Sequence, residues 1–251
     1  MNSRFKDKVA IITGATGGIG KAVAGRLGRE GASLALFDLD ERLLQLALAE
    51  FSNEGIPAYG FVVDITNEKQ VADAVADVRK RYGKVDIMIN SAGIVGPTNV
   101  NIVDYPSAEF DKLYHVNLRG AFYITKYVLM DMRQTGKGRL LHISSMAGKE
   151  GNPGMVGYSA SKAGLIGLVK GVAKEFADTG ITINGLAPAL IKTPMNENTS
   201  AAQLAYMAEK IPMKRLGTVE EVAAVVSFIV SDENSFSTGF IYDISGGRAT
   251  Y

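Results

Sequence analysis

Cysteine and tryptophan are absent from the 251 residues, and histidine occurs only twice, at His115 and His142. The missing thiols exclude disulfides, thiolate metal sites and cysteine nucleophiles. Two imidazoles give metal-centred or Ser/His/Asp chemistry little to build on, so no metal is expected. An excess of one charge is lacking as well: 27 Lys+Arg face 26 Asp+Glu, and no like-charged run stands out. The expected partner is a small molecule, with no nucleic acid and no membrane. Apolar residues make up 47% of the chain but come in short pieces. Even residues 222–230, broken by Ser227, fall well below the ~18 residues of a membrane span. The segment Met1-Asn-Ser-Arg-Phe-Lys-Asp-Lys8 leads straight into Val9-Ala-Ile-Ile-Thr13 with no long apolar region. A soluble cytoplasmic protein is expected from that start.

What is present is a steady alternation of β-branched and aliphatic runs with longer segments of helical period. Strands are expected over residues 9–13, 33–38, 58–63, 87–90, 139–144, 182–186 and 240–244. Helices are expected over 18–30, 41–54, 68–82, 107–134, 158–178 and 219–231. Several strands are apolar at consecutive positions, as parallel strands covered on both faces are. The expectation is an α/β fold in a single domain over 1–251, a Rossmann-type doubly wound parallel sheet of about seven strands with helices on both faces. Gly, Pro, Asn and Ser gather where strands give way to helices, at residues 14–20, 91–97, 148–157 and 188–194. Those loops lie at the carboxyl ends of strands, where open α/β sheets bind ligands. Residues 189–212 lack strand character and carry Pro194 and Pro212. They read as a mobile substrate flap, or else as a plain surface insertion.

Thr13-Gly-Ala-Thr-Gly-Gly-Ile-Gly20 follows the first strand and opens a helix, where a pyrophosphate can rest on free N–H groups. Its glycines depart from the literal G-x-G-x-x-G pattern, so a simple tight turn stays open for this loop taken alone. Asp38, at the end of the second strand and 20 residues after Gly18, adds specificity, because a carboxylate there can accept both ribose hydroxyls of an adenosine. It would also repel a 2′-phosphate, and no neighbouring base offsets that. NAD is therefore expected over NADP. The plain alternative for Asp38 is a cap on the following helix, a role open equally to Asp40.

Tyr158 and Lys162 stand i, i+4 at the start of a helix and face the same way. Tyr206 and Lys210 repeat the spacing, and Thr193 precedes Tyr206 as Ser145 precedes Tyr158. Context separates the two sets: Ser145 directly follows a strand, whereas Thr193 sits between Lys192 and Pro194 in irregular chain. An ordinary tyrosine pKa near 10 must fall by ~3 units, or about 4 kcal/mol, for the phenol to act as a base near pH 7. A lysine ammonium ~4 Å away supplies about 1 kcal/mol in water and about 4 at an effective dielectric near 20. Burial itself raises a tyrosine pKa, so the positive nicotinamide of an oxidised cofactor has to help Lys162.

Taken together, residues 13–20, Asp38, Asp64, Asn90-Ser-Ala-Gly93, Asn117, Ser144-Ser145, Tyr158-Ser-Ala-Ser-Lys162 and 188–193 resemble the short-chain dehydrogenase/reductase family over essentially the whole chain. The resemblance implies a catalytic set of Asn117, Ser145, Tyr158 and Lys162. It also implies an NAD site made by Gly14, Thr16, Gly17, Gly18, Ile19, Gly20, Asp38, Leu39, Asp64, Ile65, Asn90, Ala92, Gly93, Pro188, Ile191 and Thr193, together with Tyr158 and Lys162. Asp64 would lie near the adenine and Thr193 near the nicotinamide amide. Ser91 stands where the family more often has a second Asn, and Ala189 where Gly is common. Neither change removes a chemical group the reaction needs. His142, within an expected buried strand, and His115 are given no catalytic role.

The loop Ala147-Gly-Lys-Glu-Gly-Asn-Pro153 has few large apolar groups, which suits a small polar substrate. This loop and the ends of the chain also resemble a subgroup acting on 2-keto-3-deoxy sugar acids and polyols. Lys149, Glu150, Asn152, Arg248 and Tyr251 are the candidate substrate residues. An arginine fork can grip a carboxylate, so the tail is expected to pack against a neighbouring subunit of a homotetramer and to help bind an acidic substrate. The alternatives are an NADPH-dependent 3-ketoacyl-type reductase, against which Asp38 speaks, and a non-catalytic nucleotide-binding relative, against which the complete catalytic set speaks.

Overall fold

The structure is a computed structural model, and it describes residues 3–193 and 208–249. Seven parallel strands form one sheet in the order β3-β2-β1-β4-β5-β6-β7. They are β1 (Val9–Thr13), β2 (Ser33–Asp38), β3 (Ala58–Val62), β4 (Ile87–Asn90), β5 (Lys137–Ile143), β6 (Gly180–Pro188) and β7 (Ile241–Ile244). The order reverses between β1 and β4, so a crevice opens there at the carboxyl ends of the strands. Side chains alternate across the sheet: Ala10 and Ile12 join a core with α1 (Gly18–Arg29), α2 (Glu41–Asn53) and the last helix. Val9 and Ile11 join a second core on the other face with α3 (Glu68–Tyr82) and the central helices. Both faces are covered, which explains why the strands are apolar at consecutive positions.

Helix boundaries follow capping chemistry. Asp40 accepts from Leu43 N at 2.9 Å to start α2, and Asn67 accepts from Gln70 N at 3.2 Å to start α3. Gly83, at φ +79°, ends α3 in the left-handed conformation that glycine adopts without strain. The single helix expected over 107–134 is divided into α4 (Ser107–Leu113), a π-helical segment (Tyr114–Arg119) and α5 (Gly120–Thr135). Apolar periodicity does not reveal such a bulge, because one inserted residue is absorbed within a single turn. Beyond β5, a short helix α6 (Met146–Glu150) interrupts what reads as loop, followed by α7 (Val156–Glu175). The last described helix, α8 (Val219–Ile229), begins with a reciprocal capping box between Thr218 and Glu221.

Ala121, Ile124 and Val128, an apolar stripe along α5, are fully buried in the core. The flap expected over 189–212 is described only at its ends, since 194–207 lie outside the described residues. Its start is anchored by Ala189 N donating to Ile244 O and by Ile191 bridging to Gly217. Among the described residues no helix is long and apolar enough to cross a membrane.

Candidate active site

The carboxyl edge of the sheet gathers the residues singled out above. Gly14 turns away from β1 at φ +61°, and a Cβ there would come within 2.9 Å of the Ala92 backbone. A Cβ on Gly20 would overlap the Gly14 carbonyl. Both positions therefore require glycine. Gly17 is the N-cap of α1, which has no side-chain cap and no acid in its first turn, in contrast to α2, α3 and α8. The N–H groups of Gly18, Ile19 and Gly20 thus begin a helix whose positive end no side chain has claimed.

Asp38 faces that loop. Its Oδ2 accepts from Thr16 N at 2.9 Å and from Thr16 Oγ1 at 2.7 Å, while Oδ1 accepts from Leu39 N at 2.8 Å. The cap of α2 is Asp40, so the capping alternative for Asp38 falls away. Leu39 is exposed beside it. Past β3, Asp64 Oδ1 accepts from the backbone and hydroxyl of Thr66 at 2.8 and 2.7 Å. Ile65 packs on Gly120, where a Cβ would sit 3.0 Å from its side chain. Pro188 ends β6, and Ile191 and Thr193 follow it along the same edge. An unclaimed helix N-terminus next to glycines, with a carboxylate at the end of the second strand, is a donor and acceptor set that fits a dinucleotide.

Asn117 lies in the π-helical segment and is buried. Its amide clamps Ile94 from both sides, Oδ1 accepting from Ile94 N and Nδ2 donating to Ile94 O, each at 2.9 Å. Nδ2 also donates to Ser161 Oγ at 3.0 Å, and Ser161 in turn donates to Tyr158 O at 2.8 Å. Ser161 is a site residue that motif spacing did not single out, because its role is to join Asn117 to the turn carrying Tyr158. Gly93 sits between these groups: a Cβ there would be 3.1 Å from Asn117 Oδ1 and 3.3 Å from Lys162 Nζ.

Ser145 is the N-cap of α6, accepting from Ala147 N at 3.1 Å. The preceding Ser144 donates to Lys162 O at 3.0 Å and fixes α7 against β5. Lys162 is 5% exposed and donates to Ile143 O at 2.9 Å, with Nζ 5.8 Å from the centre of the Tyr158 ring. Burial holds the Lys162 ammonium down at about 8. Burial also raises the Tyr158 phenol, against a hydrogen bond from Ser145 that lowers it. Desolvation thus prevails at both groups in the protein by itself, and the phenolate needs a further positive charge, as the arithmetic above requires.

The candidate substrate residues form a rim beside this set. Lys149 Nζ meets both oxygens of Asp243 at 3.0 Å. Arg248 donates to Glu150 Oε2 at 2.8 Å and to Asn152 Oδ1 at 3.0 Å, so its fork is engaged by its own chain. Tyr251 and Tyr206 lie outside the described residues. Asp243 is a partner that the sequence reading missed, although a lone acid in an apolar strand is a usable signal. His115 Nδ1 lies 2.6 Å from Asp111 O, away from these groups. Among the described residues no three His, Asp or Glu side chains converge on a common point.

The chain matches the protein family described as enoyl-(acyl carrier protein) reductase over residues 14–249. It is 43% identical over 248 residues to a 2-dehydro-3-deoxy-L-rhamnonate dehydrogenase (NAD(+)) from a Sphingomonas species, covering 99% of this chain and 98% of that one. It is 37% identical over 246 residues to a 3-oxoacyl-[acyl-carrier-protein] reductase FabG from Thermotoga maritima, covering 97% and 98%. Among solved structures, NAD+-bound xylitol dehydrogenase superimposes with a TM-score of 0.91 at 33% identity, covering 97% of this chain and 99% of that one.

Proposed function

Because the chain belongs to the short-chain dehydrogenase/reductase family, we propose that it is an NAD-dependent oxidoreductase interconverting a secondary alcohol and a ketone on a 2-keto-3-deoxy sugar acid or a related polyol. The observation that carries the reaction class is the meeting of Ser145, Tyr158 and Lys162 where β5 and α7 approach. NAD supplies a hydride acceptor when it is bound. The chain's own residues manage the proton. Ser145 hydrogen-bonds the reacting oxygen, and Tyr158 as phenolate takes the hydroxyl proton while the carbon gives up its hydride. Lys162 supplies a positive charge beneath the phenolate, and Asn117 holds the Ile94 turn that borders both. The Asn117 amide N–H groups are both committed within the protein. Asn117 is also proposed to hold a water linking Lys162 to solvent, and at this side chain that water has only the remaining acceptor capacity of Oδ1.

Asp38 supports NAD over NADP, because its carboxylate stands where a 2′-phosphate would have to lie. The Sphingomonas relative is named for NAD and for a 2-keto-3-deoxy acid, and the solved neighbour for NAD and a polyol. A polar rim of Lys149, Glu150, Asn152 and Arg248 suits such substrates. The Thermotoga relative is named as a 3-oxoacyl-[acyl-carrier-protein] reductase; an NADPH-dependent reductase of that type would call for a base in place of Asp38. The same reading proposes a homotetramer, supported by Phe110, Tyr114, Phe122 and Met130, each 41–45% exposed along α4, the π-helical segment and α5. The test is a dehydrogenase screen of sugar acids, polyols and simple secondary alcohols with both oxidised cofactors. The highest kcat/KM is expected for a sugar acid or polyol with NAD. A higher value with NADP, or oxidation of simple alcohols alone, would overturn the respective part.

A further inference from the structure

Thr13, Asn90 and His142 occupy one row across the neighbouring strands β1, β4 and β5, as the register pairs Thr13 with Asn90 and Asn90 with His142. All three are at most 2% exposed. Hydrogen bonds run through them in one direction. Ala92 N–H donates to Thr13 Oγ1 at 3.2 Å, and the Thr13 hydroxyl donates to Asn90 Oδ1 at 2.6 Å. Asn90 Nδ2 lies 3.3 Å from His142 Nδ1, and His142 Nε2 lies 3.0 Å from Thr125 Oγ1. Thr125 donates to Ala121 O at 2.6 Å. Since the Thr125 proton is spent on that carbonyl, its oxygen accepts from His142, which places the imidazole hydrogen on Nε2. Nδ1 is then bare and accepts from Asn90. Every link is satisfied only with the imidazole neutral, and the burial that holds His142 down at about 3 keeps it so.

We propose that His142 is a positioning residue for cofactor binding: by accepting from Asn90 it turns the Asn90 carbonyl oxygen toward Thr13, whose hydroxyl then fixes the Ala92 turn against Gly14. The Ala92 backbone is the group that a Cβ on Gly14 would strike, so the two loops flanking the β1–β4 crevice share this one anchor. The proposal rests on the reading of that crevice as the NAD site. It differs from a packing role because only the Nδ1 half of the ring meets Asn90, while the Nε2 half meets Thr125 of α5.

The two halves can be separated by substitution. In His142→Asn the side-chain oxygen takes the place of Nδ1 and keeps the bond to Asn90. In His142→Gln the longer amide reaches Thr125 and leaves Asn90 without its acceptor. Thr125→Val removes the far end alone. The experiment is NADH titration by fluorescence, with thermal melting of each variant alongside. His142→Asn and Thr125→Val are expected to bind NADH within about threefold of the unmodified protein whatever their melting temperatures, and His142→Gln about tenfold more weakly. Equal affinities for the Asn and Gln variants, or affinities that simply follow melting temperature, overturn the proposal. Should the Gln variant not fold, His142→Leu, which offers Asn90 no acceptor, takes its place: about tenfold weaker binding than in His142→Asn supports the assignment, and equal affinities overturn it. An unmodified protein that binds no NADH overturns the cofactor reading and the proposal with it, whereas normal NADH binding with the wrong order of variants overturns the proposal alone.

Discussion

Replacing His142 with Asn removes the one buried imidazole, and the consequence for stability can be worked out in both sign and size. The folded-state pKa of His142 is lowered to about 3, first by burial and then by the charge on Lys162, against an ordinary value near 6.5. Between those limits the unfolded chain binds a proton that the folded chain refuses, so stability falls as pH drops below about 6.5 and goes on falling to about 3. From pH 7 to pH 5 the loss amounts to about 2 kcal/mol, at about 1.36 kcal/mol per unit below the unfolded pKa. This window avoids Glu221, whose carboxyl the Arg215 bond holds at about 2. Such a group titrates only below the usual carboxylate value near 4.3, where its stabilisation is lost as pH falls. Urea unfolding of the unmodified chain and of His142→Asn, at one protein concentration and at pH 7, 6 and 5, is the assay. The stability difference between them should shift by about 2 kcal/mol toward the variant at pH 5. A difference constant within about 0.5 kcal/mol would refute the assignment of a neutral, desolvated imidazole.

Asp38→Ala should weaken NAD binding and narrow the gap to NADP, because it removes the carboxylate proposed to accept the ribose hydroxyls and releases both Thr16 bonds; cofactor titrations of both forms check this. Alcohol oxidation should rise with pH and ketone reduction should fall, since one needs Tyr158 deprotonated and the other protonated. The apparent pKa for oxidation should be the lower of the two, because burial raises the phenol and only the oxidised nicotinamide adds positive charge beside it; paired pH–rate profiles at saturating cofactor test both points. Deleting residues 248–251 removes the grip on Glu150 and Asn152 and should raise the Michaelis constant for an acidic substrate at least several-fold. Measuring oligomer mass on the same sample shows whether the tail also serves a neighbouring subunit, and unchanged values of both would leave it without either role.

Local chemistry made most of the fold legible. Strand β2 and helix α3 span the residues expected of them, because a short apolar run, the Asn67 cap and the Gly83 stop all act within a few residues. Asp38 and the glycines were readable for the same reason: a turn at positive φ and a carboxylate at a strand end are local demands. The π-helical turn at Asn117 was not readable, since apolar periodicity absorbs one inserted residue, and the clamp of Asn117 on Ile94 joins residues 23 apart in sequence. The row of Thr13, Asn90 and His142 was equally hidden, because it exists only once three strands are in register. Arg248 looked like a free fork in the sequence, and it took the approach of α6 to the end of β7 to show Glu150 as its partner.

The central claim is that Tyr158 moves the proton while Asp38 and the glycine loop hold the cofactor, and it is tested most directly by Tyr158→Phe. That change removes one hydroxyl and leaves the ring in place. NADH formation with the best substrate from the screen, followed at 340 nm, should fall by about 10²- to 10⁴-fold, as loss of an acid–base group does. NADH affinity on the same preparation should stay within about threefold of the unmodified protein. More than about a tenth of the activity remaining while NADH still binds would contradict the account.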